Sequence, residues 1–110
     1  MANATPAPDV VPEEETETRT RRQPPYAVVL HNDDINSMDF VVTVLRKVFG
    51  YTVEKCVELM LEAHTKGKVA VWIGAMEVAE LKADQITSFG PDPHVAKNGH
   101  PLGVTVEPAA

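Results

Sequence analysis

Three neighbouring polar residues, Asn32, Asp33 and Asp34, form the part of the chain best suited to chemistry. They follow the apolar run Tyr26–Leu30 and precede a helical apolar pattern, so they occupy a short strand-to-helix connection. A short connection needs turn residues, but it does not need two carboxylates and an amide oxygen side by side. The corner therefore suits a cation with several hydrogen-bond donors, such as the α-amino group that begins a protein chain.

Two helices are predicted after this corner, and a tight connection joins them. Apolar residues recur at helical spacing from 40 to 49 and again from 53 to 64. Gly50 and Gly67 are the predicted ends of these helices, because glycine readily takes the left-handed conformation of a helix C-terminus. Since the connection is so short, the two helices must form a hairpin. The predicted N-caps are Asn36 or Ser37 for the first helix and Thr52 for the second.

The remainder of the chain predicts a strand from Lys68 to Ile73, a third helix from about Ala75 and a last strand from Leu102 to Glu107. Between the third helix and the last strand, residues 90–101 are a loop rich in glycine, proline, asparagine and histidine. The predicted fold class is α+β, a two-layer sandwich with a three-stranded antiparallel sheet and three helices in the order β-α-α-β-α-β. In the second strand, Val69, Val71 and Ile73 are expected to share one face.

Length and composition restrict the classes of function. A chain of 110 residues has room for one small domain, predicted at 26–110, preceded by a disordered tail at 1–25 that is rich in proline and acidic residues. A net charge of −6 argues against nucleic-acid binding. No stretch is apolar enough for a membrane span, and the start lacks the apolar region of a secretory signal. A cytoplasmic location is the expectation.

Several motifs along the chain resemble the ClpS family, adaptors that deliver N-end-rule substrates to a Clp AAA+ protease. The resemblance covers essentially residues 26–107, with the motifs in order and with similar gaps. It implies the ClpS fold, which is similar to the C-terminal domain of the ribosomal stalk protein, and it implies neither catalysis nor a cofactor. The matching stretches are Val28–Asp34, Met38–Val42, Leu59–His64, Gly67–Lys68, Glu77–Glu80 and His100–Leu102.

The resemblance also implies partners and residue roles. The partners are proteins with an N-terminal Leu, Phe, Tyr or Trp and the N-terminal domain of a ClpA-like or ClpC-like unfoldase, with no nucleic acid and no membrane. The positions that hold the substrate's α-amino group are matched by Asn32, Asp33 and His64. Those of the side-chain pocket are matched by Asp34, Asn36, Met38, Val41, Met60, Ala63 and Leu102. Those that dock on the unfoldase are matched by Glu77 and Lys82.

Three features depart from the usual ClpS pattern. Asn36 and Ser37 stand where these proteins commonly have Thr-Pro. Ala63 replaces a larger aliphatic residue, which predicts a roomier pocket that accepts Trp and Tyr more readily. The stretch 90–99 is longer than usual and leads to Leu102, so it is a candidate for reshaping the pocket rim.

Two alternative functions remain open from the sequence. A ribosomal stalk-like protein-binding domain would share the fold but not the Asn-Asp-Asp corner. A metal-dependent hydrolase would use carboxylate and imidazole ligands, and His31, Asp33, Asp34 and His64 are the candidates for zinc. Their spacing fits no closed zinc site, so the sequence favours the adaptor.

Overall fold

The computed structural model describes residues 24–95 and 99–109, and its helices and strands follow the predicted order. The α+β prediction of three helices and a three-stranded antiparallel sheet is confirmed. Except for residues 24 and 25, the predicted disordered tail lies outside the described residues. The elements are β1 (Tyr26–His31), α1 (Met38–Phe49), α2 (Val53–Lys66), β2 (Lys68–Gly74), α3 (Met76–Ser88) and β3 (Val104–Pro108).

Strand β1 lies at the centre of the sheet, between β2 and β3, and pairs antiparallel with both. Its four central residues, from 27 to 30, are all buried. Val28 and Leu30 belong to the core cluster, where they are packed together with residues of all three helices. A central strand covered in this way gives the polar residues that follow it a rigid starting point.

Strand β2 contains a bulge that the alternation of its sequence did not predict. The pairing with β1 passes from Val28 opposite Trp72 to Val29 opposite Ala70, so Val71 is an extra residue on β2. An extra residue shifts the pleat and exchanges the faces of the side chains beyond it. The prediction that residues 69, 71 and 73 share one face is therefore wrong at its last member, because Ile73 is 57% exposed.

The ends of α1 and α2 have the local chemistry that the sequence indicated. Ser37 is the N-cap of α1, and its hydroxyl accepts the Phe40 N–H at 3.1 Å. Thr52 caps α2 in the same way. Gly50 and Gly67 end the two helices with φ of 73° and 91°, a left-handed conformation that favours glycine. Since Ser37 is the cap, the side chain of Asn36 is not needed for capping and is free for another contact.

Strand β3 begins at Val104 rather than at Leu102 as predicted. Leu102 is 3% exposed and packs in the core cluster, and Pro101 before it has no N–H to donate to a strand ladder. One further backbone hydrogen bond lies just before β3: the His31 N–H, at the end of β1, donates to the Gly103 carbonyl at 2.9 Å. The segment before β3 thus lies outside the strand pairing, and the burial of Leu102 together with this bond holds it in place.

Candidate functional site

A cleft of about 340 Å³ opens between the connection that follows β1, the start of α1 and the C-terminal half of α2. It brings together every residue predicted for the amino group and for the side-chain pocket except Leu102. The lining residues are Leu30, His31, Asn32, Asp33, Asp34, Ile35, Asn36, Ser37, Met38, Val41, Met60, Ala63 and His64.

A backbone hydrogen bond places the polar corner beside the end of α2. The Asn32 N–H donates to the Gly67 carbonyl at 2.9 Å, just beyond the C-terminus of that helix. His64 lies in the last turn of α2, exposed and on the cleft. The chain leaving β1 and the end of α2 therefore bring an amide side chain and an imidazole to the lining of one cleft.

Asp33 is occupied by contacts within its own connection. One carboxylate oxygen accepts the N–H groups of Ile35 and Asn36 at 2.7 and 3.0 Å, and the other accepts the Asn36 side-chain amide. Its side chain is 5% exposed. Burial opposes ionisation, but these hydrogen bonds outweigh it and hold the pKa of Asp33 below its usual value. Asp33 thus holds the turn together, a role that the resemblance did not assign to it.

Asp34, the next residue, has the opposite environment. It is exposed on the cleft, and its carboxylate makes no hydrogen bond within residues 24–95 and 99–109. No side chain or backbone group in this part of the chain therefore occupies the two oxygens, and they face the cleft where a ligand could meet them. Of the two adjacent carboxylates, Asp34 is the one suited to meet a cation, although the resemblance placed it with the side-chain pocket.

Asn36 is buried beneath the cleft and joins it to the segment before β3. Its side-chain nitrogen donates to Asp33 and to the His100 carbonyl at 3.0 Å, and its oxygen accepts the Asp92 N–H at 2.9 Å. It is 6% exposed, and all of these contacts are internal. Asn36 is thus a structural support of the cleft, not a cap of α1.

Asp92 is the residue near the cleft that sequence reasoning missed. It is 2% exposed, and its carboxylate accepts the N–H groups of Ser37 and His94 at 3.0 and 2.9 Å. Hydrogen bonds from Ser37 and from the His94 backbone lower its pKa. The available signal was an aspartate held between two prolines in the loop that leads to the predicted pocket.

The apolar part of the cleft has a buried floor and an exposed rim. Val41, Met60 and Ala63 are 5%, 9% and 3% exposed and belong to the core cluster as well as to the cleft. Met38, at the first position of α1, is 55% exposed. Leu102, predicted as a further wall residue, packs in the core and does not line the cleft.

The two residues matched to unfoldase docking lie on α3 in different environments. Glu77 is exposed in the first turn. Lys82 is half-buried, and its ammonium donates to the Val48 carbonyl at 3.0 Å and lies 5.7 Å from the centre of the Phe49 ring. Lys82 therefore also stabilises the end of α1, where a cation is favourable to the helix dipole.

The metal site considered from the sequence finds no support in the geometry. Across residues 24–95 and 99–109, no three His, Cys, Asp or Glu side chains are grouped so that they could hold a metal ion. The His31 ring lies 2.8 Å from the Thr105 hydroxyl, on the neighbouring strand. Within the same residues, no helix is both long and apolar enough to cross a membrane.

Comparisons with known proteins agree with this arrangement. The family model for the ATP-dependent Clp protease adaptor protein ClpS matches residues 21–105. The adapter ClpS of Vibrio atlanticus is 40% identical over 94% of this chain and 92% of its own length. That of Edwardsiella ictaluri is 40% identical over 99% of this chain and 100% of its own.

A solved structure is similar in fold as well as in sequence. Agrobacterium tumefaciens ClpS2, bound to L-phenylalaninamide, superposes with a TM-score of 0.69 at 34% identity. The similarity covers 79% of this chain and 99% of that one. With its fold, its cleft and these relatives, the chain belongs to the ClpS family of Clp protease adaptor proteins.

Proposed function

We propose that this protein binds the first residue of substrates that begin with Leu, Phe, Tyr or Trp and delivers them to a Clp AAA+ unfoldase. The observation that carries the proposal is the meeting, in one cleft, of a buried apolar floor with the exposed Asp34 carboxylate, which has no hydrogen-bond partner among the described residues. A chain beginning with one of these residues presents a positive charge and a bulky apolar group on adjacent atoms. The protein binds and delivers, and no bond is made or broken in the cleft.

The polar corner accounts for selection of chain ends. An α-amino group has a pKa of about 7.7–8.0 and is mostly an ammonium with three N–H donors at neutral pH. Asn32 supplies an amide oxygen, Asp34 a carboxylate and His64 a ring nitrogen. Each charge-assisted hydrogen bond contributes about 1.5–3 kcal/mol. An internal peptide N–H has one donor and no charge, so it cannot offset desolvation of this corner.

The apolar floor accounts for selection of the first side chain. Burying a Leu or Phe side chain contributes about 1.5–3 kcal/mol. Added to the polar contacts and reduced by the freedom lost on binding, this gives a dissociation constant near micromolar or somewhat below. The ligand of Agrobacterium tumefaciens ClpS2, L-phenylalaninamide, supports this assignment because it combines a free amino group with an aromatic side chain.

Ala63 is expected to widen the range of side chains that bind. It is 3% exposed on the cleft floor, so each added methyl group would take space from the ligand. We expect Ala63→Val to weaken binding of Trp-initiated and Tyr-initiated peptides by roughly 3- to 10-fold relative to a Leu-initiated one. Fluorescence anisotropy with Leu-, Phe-, Tyr- and Trp-initiated peptides measures this, and an unchanged ranking would reject the role of Ala63.

Delivery is tested separately from binding. A Phe-initiated reporter should be degraded faster by a ClpA-like or ClpC-like unfoldase with its peptidase when this protein is added, whereas a Met-initiated reporter should not.

Glu77→Lys should reduce delivery several-fold while leaving peptide affinity unchanged, because Glu77 is exposed on α3, outside the cleft. Glu54→Lys is the matched control, since Glu54 is also exposed in the first turn of a helix.

The two halves of the proposal can fail independently. Equal degradation with and without the protein would reject delivery and leave peptide binding standing. Equal delivery by the Glu77→Lys and wild-type proteins would remove Glu77 from the docking surface. Lys82 is less suitable for this test because its contact with the Val48 carbonyl mixes docking with stability.

A further inference from the structure

A buried carboxylate in a loop is a feature that requires an explanation. Aspartate is almost never fully buried unless its charge is paired or hydrogen-bonded. Asp92 is 2% exposed and lies 4 residues beyond the end of α3, yet both of its oxygens bind backbone N–H groups and its own N–H binds Asn36. Two of these three contacts reach the connection after β1, 55 and 56 residues away in sequence.

These contacts continue to the cleft without interruption. Asn36, held by the Asp92 N–H, donates in turn to the Asp33 carboxylate. Asp33 accepts the N–H groups of residues 35 and 36, and Asp92 accepts that of Ser37. Three successive backbone N–H groups are therefore bound by two buried carboxylates, one from each loop. Asp34 lies immediately before this stretch and Met38 immediately after it.

We propose that Asp92 is a positioning residue for the cleft. Asp92 fixes the backbone of residues 36 and 37. That backbone in turn positions the Asp34 carboxylate for the ligand's amino group and Met38 at the rim of the cleft. This role rests on the function proposed above, because it assigns Asp92 to the same site. Asp92 does not touch the ligand and acts through the loop.

Loss of the Asp92 carboxylate should act mainly on affinity. In Asp92→Ala, the N–H groups of Ser37 and His94 lose their acceptors and the connection becomes freer to move. Peptide binding must then order this connection again. The ordering costs free energy that the preorganised wild-type connection does not lose. We expect the dissociation constant for a Phe-initiated peptide to rise roughly 10-fold. Asp92→Asn keeps one carbonyl oxygen and should lose about 3-fold.

The experiment compares these variants with a control of the same charge change. Asp39→Ala removes an exposed carboxylate from the first turn of α1, so it changes the field at that helix end without touching Asn36 or Ser37. Its affinity for the Phe-initiated peptide should stay within about 2-fold of wild type. All proteins are measured below the onset of thermal unfolding, so a lower stability does not by itself change the dissociation constant. Should Asp92→Ala fail to fold, Asp92→Asn carries the comparison.

A double-mutant cycle with Asp34→Asn separates positioning from a merely structural role. If Asp92 acts by aiming the Asp34 carboxylate, Asp92→Ala should cost little affinity in a protein that already carries Asp34→Asn. The two losses of affinity should then not add. Additive effects, or an Asp92→Ala protein that binds as tightly as wild type, would overturn the inference and leave the proposed function intact. A wild-type protein that fails to bind the peptide would overturn the proposed function, and this inference with it.

Discussion

Asp34→Asn is expected to weaken binding of a Phe-initiated peptide at least about 10-fold, whereas Asp33→Asn is expected to act mainly on the stability of the fold. The two residues are adjacent and chemically identical, so the comparison isolates their environments. Asp34 is exposed on the cleft without a partner among the described residues, while Asp33 has a 5% exposed side chain with both oxygens bound internally.

The size of the Asp34 effect follows from the charge. A hydrogen bond between two charged groups is about twice as strong as a neutral one, and an asparagine keeps only a neutral acceptor. Because the Asp34 carboxylate makes no hydrogen bond or salt bridge within the described residues, Asp34→Asn should leave the free energy of unfolding within about 0.5 kcal/mol of wild type. Anisotropy titration and urea denaturation of the same preparations measure the two quantities.

Asp33→Asn should reverse this pattern. An amide group cannot accept all of the donors that now meet the carboxylate, and one of them is itself an amide nitrogen. We expect the free energy of unfolding to fall by about 1–3 kcal/mol at neutral pH. Affinity should fall less than in Asp34→Asn. If Asp33→Asn folds but loses more affinity than Asp34→Asn, then Asp33 binds the ligand's amino group. That result would contradict the assignment to Asp34.

The pH dependence of stability provides a second measurement on Asp33. Its pKa is lower in the folded protein than the ordinary value of 3.8, so folding is stabilised by the ionised form. That contribution is complete above the ordinary value and is lost as the pH falls through the folded-state value. The difference in stability between wild type and Asp33→Asn should therefore shrink in acid.

Local chemistry explains how much of the fold could be predicted from the sequence. Ser37 and Thr52 cap their helices, and Gly50 and Gly67 end them, through contacts within a few residues. Such contacts depend on residue type and spacing alone. The same holds for the location of the cleft, because a short connection after a buried strand must emerge where the helix hairpin begins.

Long-range contacts explain the errors. The bulge at Val71 depends on how β2 pairs with β1, and the burial of Leu102 depends on packing against distant residues. The division of roles between Asp33 and Asp34 depends on which side of the turn each faces, which spacing does not reveal. Asp92 meets Ser37 and Asn36 across separations of 55 and 56 residues, and no pattern near it indicates these two partners.

The largest effect is expected from the ligand rather than from the protein. Acetylation of a peptide's α-amino group removes its positive charge and leaves one N–H donor of three. Asn32, Asp34 and His64 then face a neutral amide, while the first side chain is unchanged. If two charge-assisted hydrogen bonds are lost, affinity should fall by more than about 100-fold.

The most direct test of the adaptor function is therefore a pair of titrations by fluorescence anisotropy, with one Phe-initiated peptide used free and N-acetylated. A peptide beginning with Glu and otherwise identical serves as the control for the apolar floor. The free Phe peptide should bind near the micromolar range or tighter, and the acetylated and Glu-initiated peptides should show no binding at concentrations about 100-fold higher. Equal binding of the free and acetylated peptides would contradict recognition of the chain end by this cleft.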